Sequence, residues 1–427
     1  MKRREFMRTL MAAGAGTFAA TFYGDPFRPR MRFAHAQPSG KTLVVVFQRG
    51  GADGLNECVP HGLDEYYSIR PNIAIPRPDP GDPMSAIDLD GFFGLHPALG
   101  ALKSVWDDGD LAVFPACHYP SASRSHFTGQ QNIESGEDSD DSDGWLNRYL
   151  DNNPRPAQLR AVGFGSGLPH ALKGNVVVSS FNDIGNFSLN LSPAEEAELV
   201  TDLTAAYGQG ADPSRLTREL VIETGRVMVN DVSALSAIIG APYTPAPGAT
   251  YPGSTFGRQM RQTAQLIKAG VGLEVVSLGI GGWDTHSDEG AGSGRMASRL
   301  TDFASTLRAF QTDIAAMRDQ VMVLTMTEFG RTSVENGSRG TDHAHATTWF
   351  AMGGPVAGGQ VYPHVGGNAE DSYPGKTQGL QFVRGRYLNH SVDFRDVMGE
   401  ALTDHMGVLD LSPILRGHAV SPVGYVS

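Results

Sequence analysis

Apolar residues recur along this chain at two different spacings, and each spacing predicts a different element. Residues 41–48, KTLVVVFQ, form a short run rich in β-branched side chains, bounded by Ser-Gly before and Gly-Gly after. Such a run predicts a central strand of a parallel sheet, buried on both faces. A helix is expected over 97–106 and a second strand over 111–115, and the segment SASRSHF at 121–127 opens another helix. Further on, Phe256, Met260, Ala264 and Ile267 recur at helical spacing, and LEVVSLGI at 273–280 reads as a strand. Met296, Leu300, Phe303, Leu307, Phe310, Ile314 and Met317 then alternate steps of four and three, the buried stripe of an amphipathic helix. The strand Val321–Met326 follows at once.

Helix and strand in alternation imply an α/β fold of three layers, a mostly parallel central sheet with helices on both faces. No internal repeat is visible. Proline-rich stretches at 75–83 and 241–253 read as loops, and 134–144, ESGEDSDDSDG, as a solvated acidic loop. Its acids miss the one-three-five spacing and the distant glutamate of an EF-hand. Residues 37–427 are expected to form a single domain, with 152–212, where periodicity is weak, as an insertion or a cap over the site.

The first residues change the charge picture. Arg3 and Arg4 stand as a pair, followed by Phe6, Met7, a weakly apolar stretch to about Phe22 and the small-x-small triplet Ala34-His35-Ala36. This pattern predicts a twin-arginine (Tat) export signal over 1–36 and a periplasmic or secreted protein. The apolar run is too short and too rich in glycine and alanine to span a bilayer, which needs roughly 20 strongly apolar residues. Removing the signal's seven basic and two acidic residues takes the formal charge from −12 to −17. So acidic a surface argues against nucleic acid and anionic membranes as partners. Cys58 and Cys117 each follow a predicted strand, and in an oxidising compartment they either form a disulfide or remain two buried thiols.

Four polar clusters stand directly after predicted strands, and in an open parallel sheet ligands bind beyond the carboxyl ends of the strands. In QRGGADGLN, 48–56, Asp53 is either a turn aspartate or an acid at the strand's mouth. In SASRSHFTGQQ, 121–131, a serine before the helix is either an N-cap or a nucleophile at an anion-binding helix end, with Arg124 as a fork for oxyanions and His126 beside it. In GIGGWDTH, 279–286, Asp284 and His286 are either a hydrogen-bonded pair or ligands to one ion. In TEFGRTSVENGSRGTDHAHAT, 327–347, Glu328 ends a strand and Asp342, His343 and His345 return from a loop, either on the surface or onto a metal. Mixed carboxylate and imidazole ligands suit zinc, manganese or iron(II) better than calcium or magnesium. Together the four clusters could ligate one or two divalent ions, and two ions about 4 Å apart clamp the attacking and leaving oxygens of a phosphoryl-type displacement.

The residues FQRGGADGLN, SRSHF, GGWDTH, TEFGR, GTDHAHAT and MGGPVAGGQVY resemble, in order and wording, the Tat-exported proteins known as domain of unknown function 1501. That family is similar in fold to the alkaline phosphatase and sulfatase superfamily. The resemblance implies an alkaline phosphatase-like domain and a nucleophile at a helix amino end. Ser125 matches that position, with Ser123 as rival. It further implies metal ligation by Asp53, Asp284, His286, Glu328 and either His343 or His345, with Asp342 as an extra ligand or orienter, and a closing helix in 390–402. The sequence departs from the superfamily where Asp284 and His286 are one residue apart instead of three, and where Phe329 follows Glu328 in place of an Asp-His pair. No Cys/Ser-x-Pro-x-Arg motif surrounds the serine, so formylglycine chemistry is not expected. The expected activity is hydrolysis of a small-molecule or polymeric phosphate or sulfate ester. The alternative is a non-catalytic exported binding or assembly protein that keeps the fold. A dinucleotide-dependent redox protein finds no support, because GFGSG at 163–167 lacks the spaced glycines and downstream acid of such a site.

Overall fold

The computed structural model describes residues 40–120, 123–137, 142–155, 157, 159–186, 242–363 and 385–427, and the positions 198, 201–202, 235, 238, 373–374, 380 and 382–383. The expected export signal lies outside the described residues, as does much of the expected cap.

Nine strands among the described residues form one sheet. They are β1 (Thr42–Arg49), β2 (Leu111–His118), β3 (Ala161–Phe164), β4 (Ser179–Phe181), β5 (Val275–Gly281), β6 (Val321–Met326), β7 (Thr347–Met352), β8 (Gln360–Val361) and β9 (Val392–Asp393). Their order across the sheet is β8-β2-β7-β6-β1-β5-β3-β4, with β9 also paired to β2. All pairings are parallel except those of β7, which runs antiparallel to both β2 and β6. The mostly parallel sheet is thus as expected, and the reversed strand is a finding the pattern did not announce.

Alternate side chains of β1 enter two different cores. Val44 and Val46 pack with Met260, Ala264, Leu300, Phe303 and Phe310 of helices α3 (Thr255–Lys268) and α4 (Arg295–Asp313). Leu43, Val45 and Phe47 pack on the other face with Trp145, Tyr149 and Val397 of α2 (Trp145–Asn152) and α5 (Phe394–Glu400). The last of these is the expected closing helix. Each such side chain stabilises the fold by about 1.5–3 kcal/mol relative to exposure, so β1 is the hinge of a three-layer α/β molecule. Helix α4 stops at Asp313, short of the predicted stripe, and Ile314 and Met317 belong to its cap and to the 3-10 turn that follows. The expected helix at 97–106 is a 3-10 segment, Pro97–Leu102, joined to one α turn.

The two cysteines are free and buried. Cys58 belongs to the core under α3 and α4, and Cys117 to the core under α2 and α5. The sheet itself separates them, so of the two readings the pair of buried thiols holds and the disulfide does not.

Register fixes where the polar clusters emerge. Arg49 lies opposite Gly281, and Phe47 opposite Met326. The segments that follow β1, β5 and β6 therefore leave the sheet at one edge. Strand β7 starts at that same edge, with Thr347 opposite Cys117 near the end of β2. All four clusters meet there.

Candidate metal centre

Close approach of backbone segments sets the site's frame. At the mouth of β1, Gly50 has φ +128° and a Cβ there would lie 2.6 Å from the Asp284 nitrogen, while one on Gly51 (φ +71°) would lie 2.5 Å from the Phe329 ring. Only glycine admits both the conformation and the contact. Arg331, 1% exposed, then ties the three loops together. Its guanidinium donates to the carbonyls of Gly51 (2.7 Å), Gly50 (2.5 Å), Trp283 (3.1 Å) and Thr341 (3.2 Å), and to Asp284 Oδ1 (2.5 Å).

Three histidines surround Asp284. His286 Nε2 and His343 Nε2 lie 3.0 and 3.1 Å from its Oδ1 and 3.1 Å from each other, and His126 Nε2 lies 3.5 Å from its Oδ2. Each imidazole is held from behind at Nδ1. His126 meets Glu328 Oε1 at 2.8 Å, His286 meets Asp342 Oδ1 at 3.2 Å, and His343 meets the carbonyl of Arg124 at 2.9 Å. A carbonyl or an ionised carboxylate can only accept, so Nδ1 carries the hydrogen in each ring and the neutral tautomer places its lone pair on Nε2. The lone pairs of His286 and His343 then meet at Asp284 Oδ1, and that of His126 approaches Oδ2 of the same carboxylate. Apart from a proton, a cation is what makes that convergence favourable, and donors 3.0–3.1 Å apart are close to the roughly 3.3 Å edge of a tetrahedron with metal–ligand bonds near 2.0–2.1 Å. Imidazoles oriented through Nδ1 by an oxygen acceptor are the usual supporting arrangement of metal ligands.

The carboxylates of the cluster favour their charged forms. Burial opposes ionisation of Asp284, but the hydrogen bond and charge of Arg331, with His343 and His286, outweigh it and hold its pKa at about 2. Burial likewise opposes ionisation of Glu328, whose side chain is fully buried, and hydrogen bonds from His126, Gln130 and the Gly50 amide bring it below the usual glutamate value. His126 is raised, first by its bond to Glu328. His343 is lowered, chiefly by burial, against the bonds to the Arg124 carbonyl and Asp284.

Not every expected residue joins the cluster. Among the described residues, His126, Asp284 and His343 have ligand atoms within 4.8 Å of one another, and His286 shares Asp284 and His343 with them. Glu328 and Asp342 stand behind the histidines as orienting acceptors. Asp53 turns away, because both its oxygens accept from the buried guanidinium of Arg70, at 2.5 and 2.9 Å. His345 also lies elsewhere, 3.1 Å from His390 Nδ1 and stacked on His118 with ring centroids 4.8 Å apart. Ser125 occupies the N-cap position of α1 (His126–Ser135) without a capping hydrogen bond from its side chain, and it is exposed. Arg124 donates to the Tyr387 hydroxyl at 2.6 Å.

The sequence pattern groups His126 with Ser125 and Arg124 as a catalytic residue, whereas the structure puts it with Asp284 and His343. The signal that could have shown this is its spacing: one residue after the N-cap serine, its ring hangs at the mouth of the sheet. Arg70, Arg386 and Tyr387 were missed, since nothing in their local pattern marks them. Arg386 reaches Asp342 Oδ2 at 3.3 Å, and Arg124 and Arg386 both lie over the Tyr387 ring.

The family model described as "Protein of unknown function (DUF1501)" matches residues 40–417. No curated protein matches the chain. Solved structures similar to it include the following two. Ps i-CgsB in complex with k-i-k-neocarrahexaose aligns over 88% of this chain and 74% of its own, at 10% identity and a TM-score of 0.36. The lipoteichoic acid synthase LtaP from Listeria monocytogenes aligns over 83% and 77%, at 8% identity and a TM-score of 0.34. At these scores neither likeness bears on individual residues.

Proposed function

We propose, from the premise that the chain belongs to the DUF1501 family, that it is an exported metal-dependent hydrolase of phosphate or sulfate esters. One observation carries the reading: three imidazoles with Nδ1 tied back turn their Nε2 atoms toward the Asp284 carboxylate. That donor set, mostly nitrogen with one carboxylate, fits zinc or manganese. Among the described residues it fits one ion rather than two. The supporting sequence feature for export is the twin-arginine pattern in 1–36.

His126, Asp284, His286 and His343 would hold the ion, which would act as a Lewis acid on an ester oxygen and on a nearby hydroxyl. Ser125 stands at the amino end of α1, one residue before His126. Its Oγ forms the bond to phosphorus or sulfur and loses its proton to solvent, while the bond to the leaving oxygen breaks and the alcohol departs with a proton from water. The N–H groups of the first turn of α1 would stabilise the anion that develops, and the guanidinium of Arg124, which donates to Tyr387, would add charge. Water then cleaves the serine ester and restores the hydroxyl.

Metal analysis of purified full-length protein, with turnover of aryl phosphates and aryl sulfates, tests this. The expected result is bound metal and turnover in the native chain. His286→Ala and His343→Ala lose metal, His345→Ala retains it, and Ser125→Ala retains metal but loses about 10³-fold or more in kcat. Neither metal nor turnover in the native chain would leave the non-catalytic binding protein as the better reading.

A further inference from the structure

We propose that the alcohol part of the ester is a carbohydrate, held in a groove beside the metal centre; this rests on the hydrolase reading above. The groove, about 680 Å³, opens at the ligand-bearing edge of the sheet, over the ends of β1, β5 and β3. None of the residues around Asp284 lines it. The two are joined through α1, whose first residue is His126 and whose Phe127, Gln130 and Gln131 face the groove. Gln130 spans both, donating to Glu328 Oε1 at 3.0 Å and accepting from Arg49 at 2.9 Å.

Three properties of the lining select the ligand class. Phe127 is 86% exposed at the rim. A flat apolar face left in water is a platform for the C–H face of a sugar ring, since the negative face of the aromatic quadrupole attracts polarised hydrogens. Around it stand amides and hydroxyls, Gln131, Gln259, Asn182 and Ser166. Each side chain carries both a donor and an acceptor, the combination that a sugar hydroxyl also presents, and Gln259 donates to the Asn182 carbonyl at 3.0 Å. Part of the lining is bare backbone, for Gly167 and Gly281 are exposed and a Cβ added at either would meet nothing within 4 Å. A ring can therefore settle against the chain itself.

The charges argue against the other classes. Arg49 is committed to both oxygens of Glu134, at 3.0 and 3.1 Å. Lys173 is then the one lining cation without an ion pair among the described residues. One such cation suits a sugar that carries a single sulfate or phosphate, whereas a polyphosphate or a nucleic acid needs several. The glycine-rich stretch 163–167 begins within the last residues of β3 and leads into a three-residue 3-10 turn, His170–Leu172, which offers no helix amino end for a dinucleotide's phosphates.

The test uses the full-length, metal-loaded protein on an array of neutral and sulfated oligosaccharides, with ATP and an aryl sulfate as separate probes in solution. Sugars should be retained, sulfated ones more strongly, and ATP should fail to compete. Phe127→Ala should weaken retention roughly tenfold with metal content unchanged, and Gln131→Ala should act in the same direction. Retention of no sugar, retention indifferent to Phe127→Ala, or displacement by ATP would each overturn the proposal. Turnover of the aryl ester without sugar retention sinks the carbohydrate inference alone. Phe127-dependent retention without metal or turnover sinks the hydrolase reading and leaves the groove as a lectin-like site.

Discussion

Arg331 shows how much one buried side chain can organise. Its guanidinium serves four carbonyls and one carboxylate from three loops that the sequence scatters between Gly50 and Thr341. Arg331→Met would take the donor from the four carbonyls and the charge partner from the half-exposed Asp284, and a loss of about 2–3 kcal/mol is expected in urea unfolding; a loss within the scatter of surface substitutions would refute the role. Glu57 gives a different signature. Burial raises its pKa from the ordinary 4.5 to about 8, with the hydrogen bond from Gln48 opposing and the charge of Asp53 adding to the rise. Between those values the native state keeps a proton that the unfolded chain has released, so stability falls as pH rises through the window. Glu57→Gln should flatten that fall, measured as unfolding free energy from about pH 5 to about pH 8; equal slopes in the two proteins would exclude it. Neither residue was visible in the sequence as anything but a loop arginine and a turn glutamate, because their roles depend on partners hundreds of positions away or on burial alone. Asp53 failed for the same reason: position at a strand's mouth was legible, but the buried guanidinium of Arg70 that takes both its oxygens was not.

At the level of elements, the strands whose two faces are both buried announced themselves. The run at 41–48 became Thr42–Arg49, and Val321–Met326 kept its expected bounds. Strand β7 did not, since TTWFAM has neither the apolar run of a central parallel strand nor a hairpin turn before it. Its reversal matters, because the loop from Thr327 to Ala346 thereby leaves and re-enters the same edge of the sheet, and brings Glu328 and His343 to one place. That loop is closed by its own backbone: Gly330 donates to His345 and accepts from Ala344. A Cβ on Gly330 would lie 1.9 Å from the Ala346 oxygen. Gly330→Ala should therefore cost more than about 2 kcal/mol in thermal unfolding and weaken metal retention with it; a variant with native melting temperature and metal content would show that the loop yields.

For the whole molecule, the sheet keeps its two sulfur atoms apart. Both thiols are fully buried, one in each core, and burial raises their pKa values further. They should react with a thiol reagent only in denaturant, and reductant should leave the melting temperature unchanged; reaction in the native state would contradict this placement. The fold class was legible because alternation of elements fixes layers, and the edge that carries the chemistry was legible because ligands gather beyond strand ends. Which histidines turn toward Asp284 was not, since His343 and His345 differ only in which way the returning loop faces them. The same loop carries Gly337 at its tip, where a Cβ would meet nothing within 4 Å, beside Asn336, whose amide donates to the His286 carbonyl at 2.9 Å. In a protein whose own thiols are hidden, a cysteine introduced at Gly337 would be the single labelling position in the described fold. A fluorophore coupled there would turn ion uptake into an optical signal read one hydrogen bond away from a ligand.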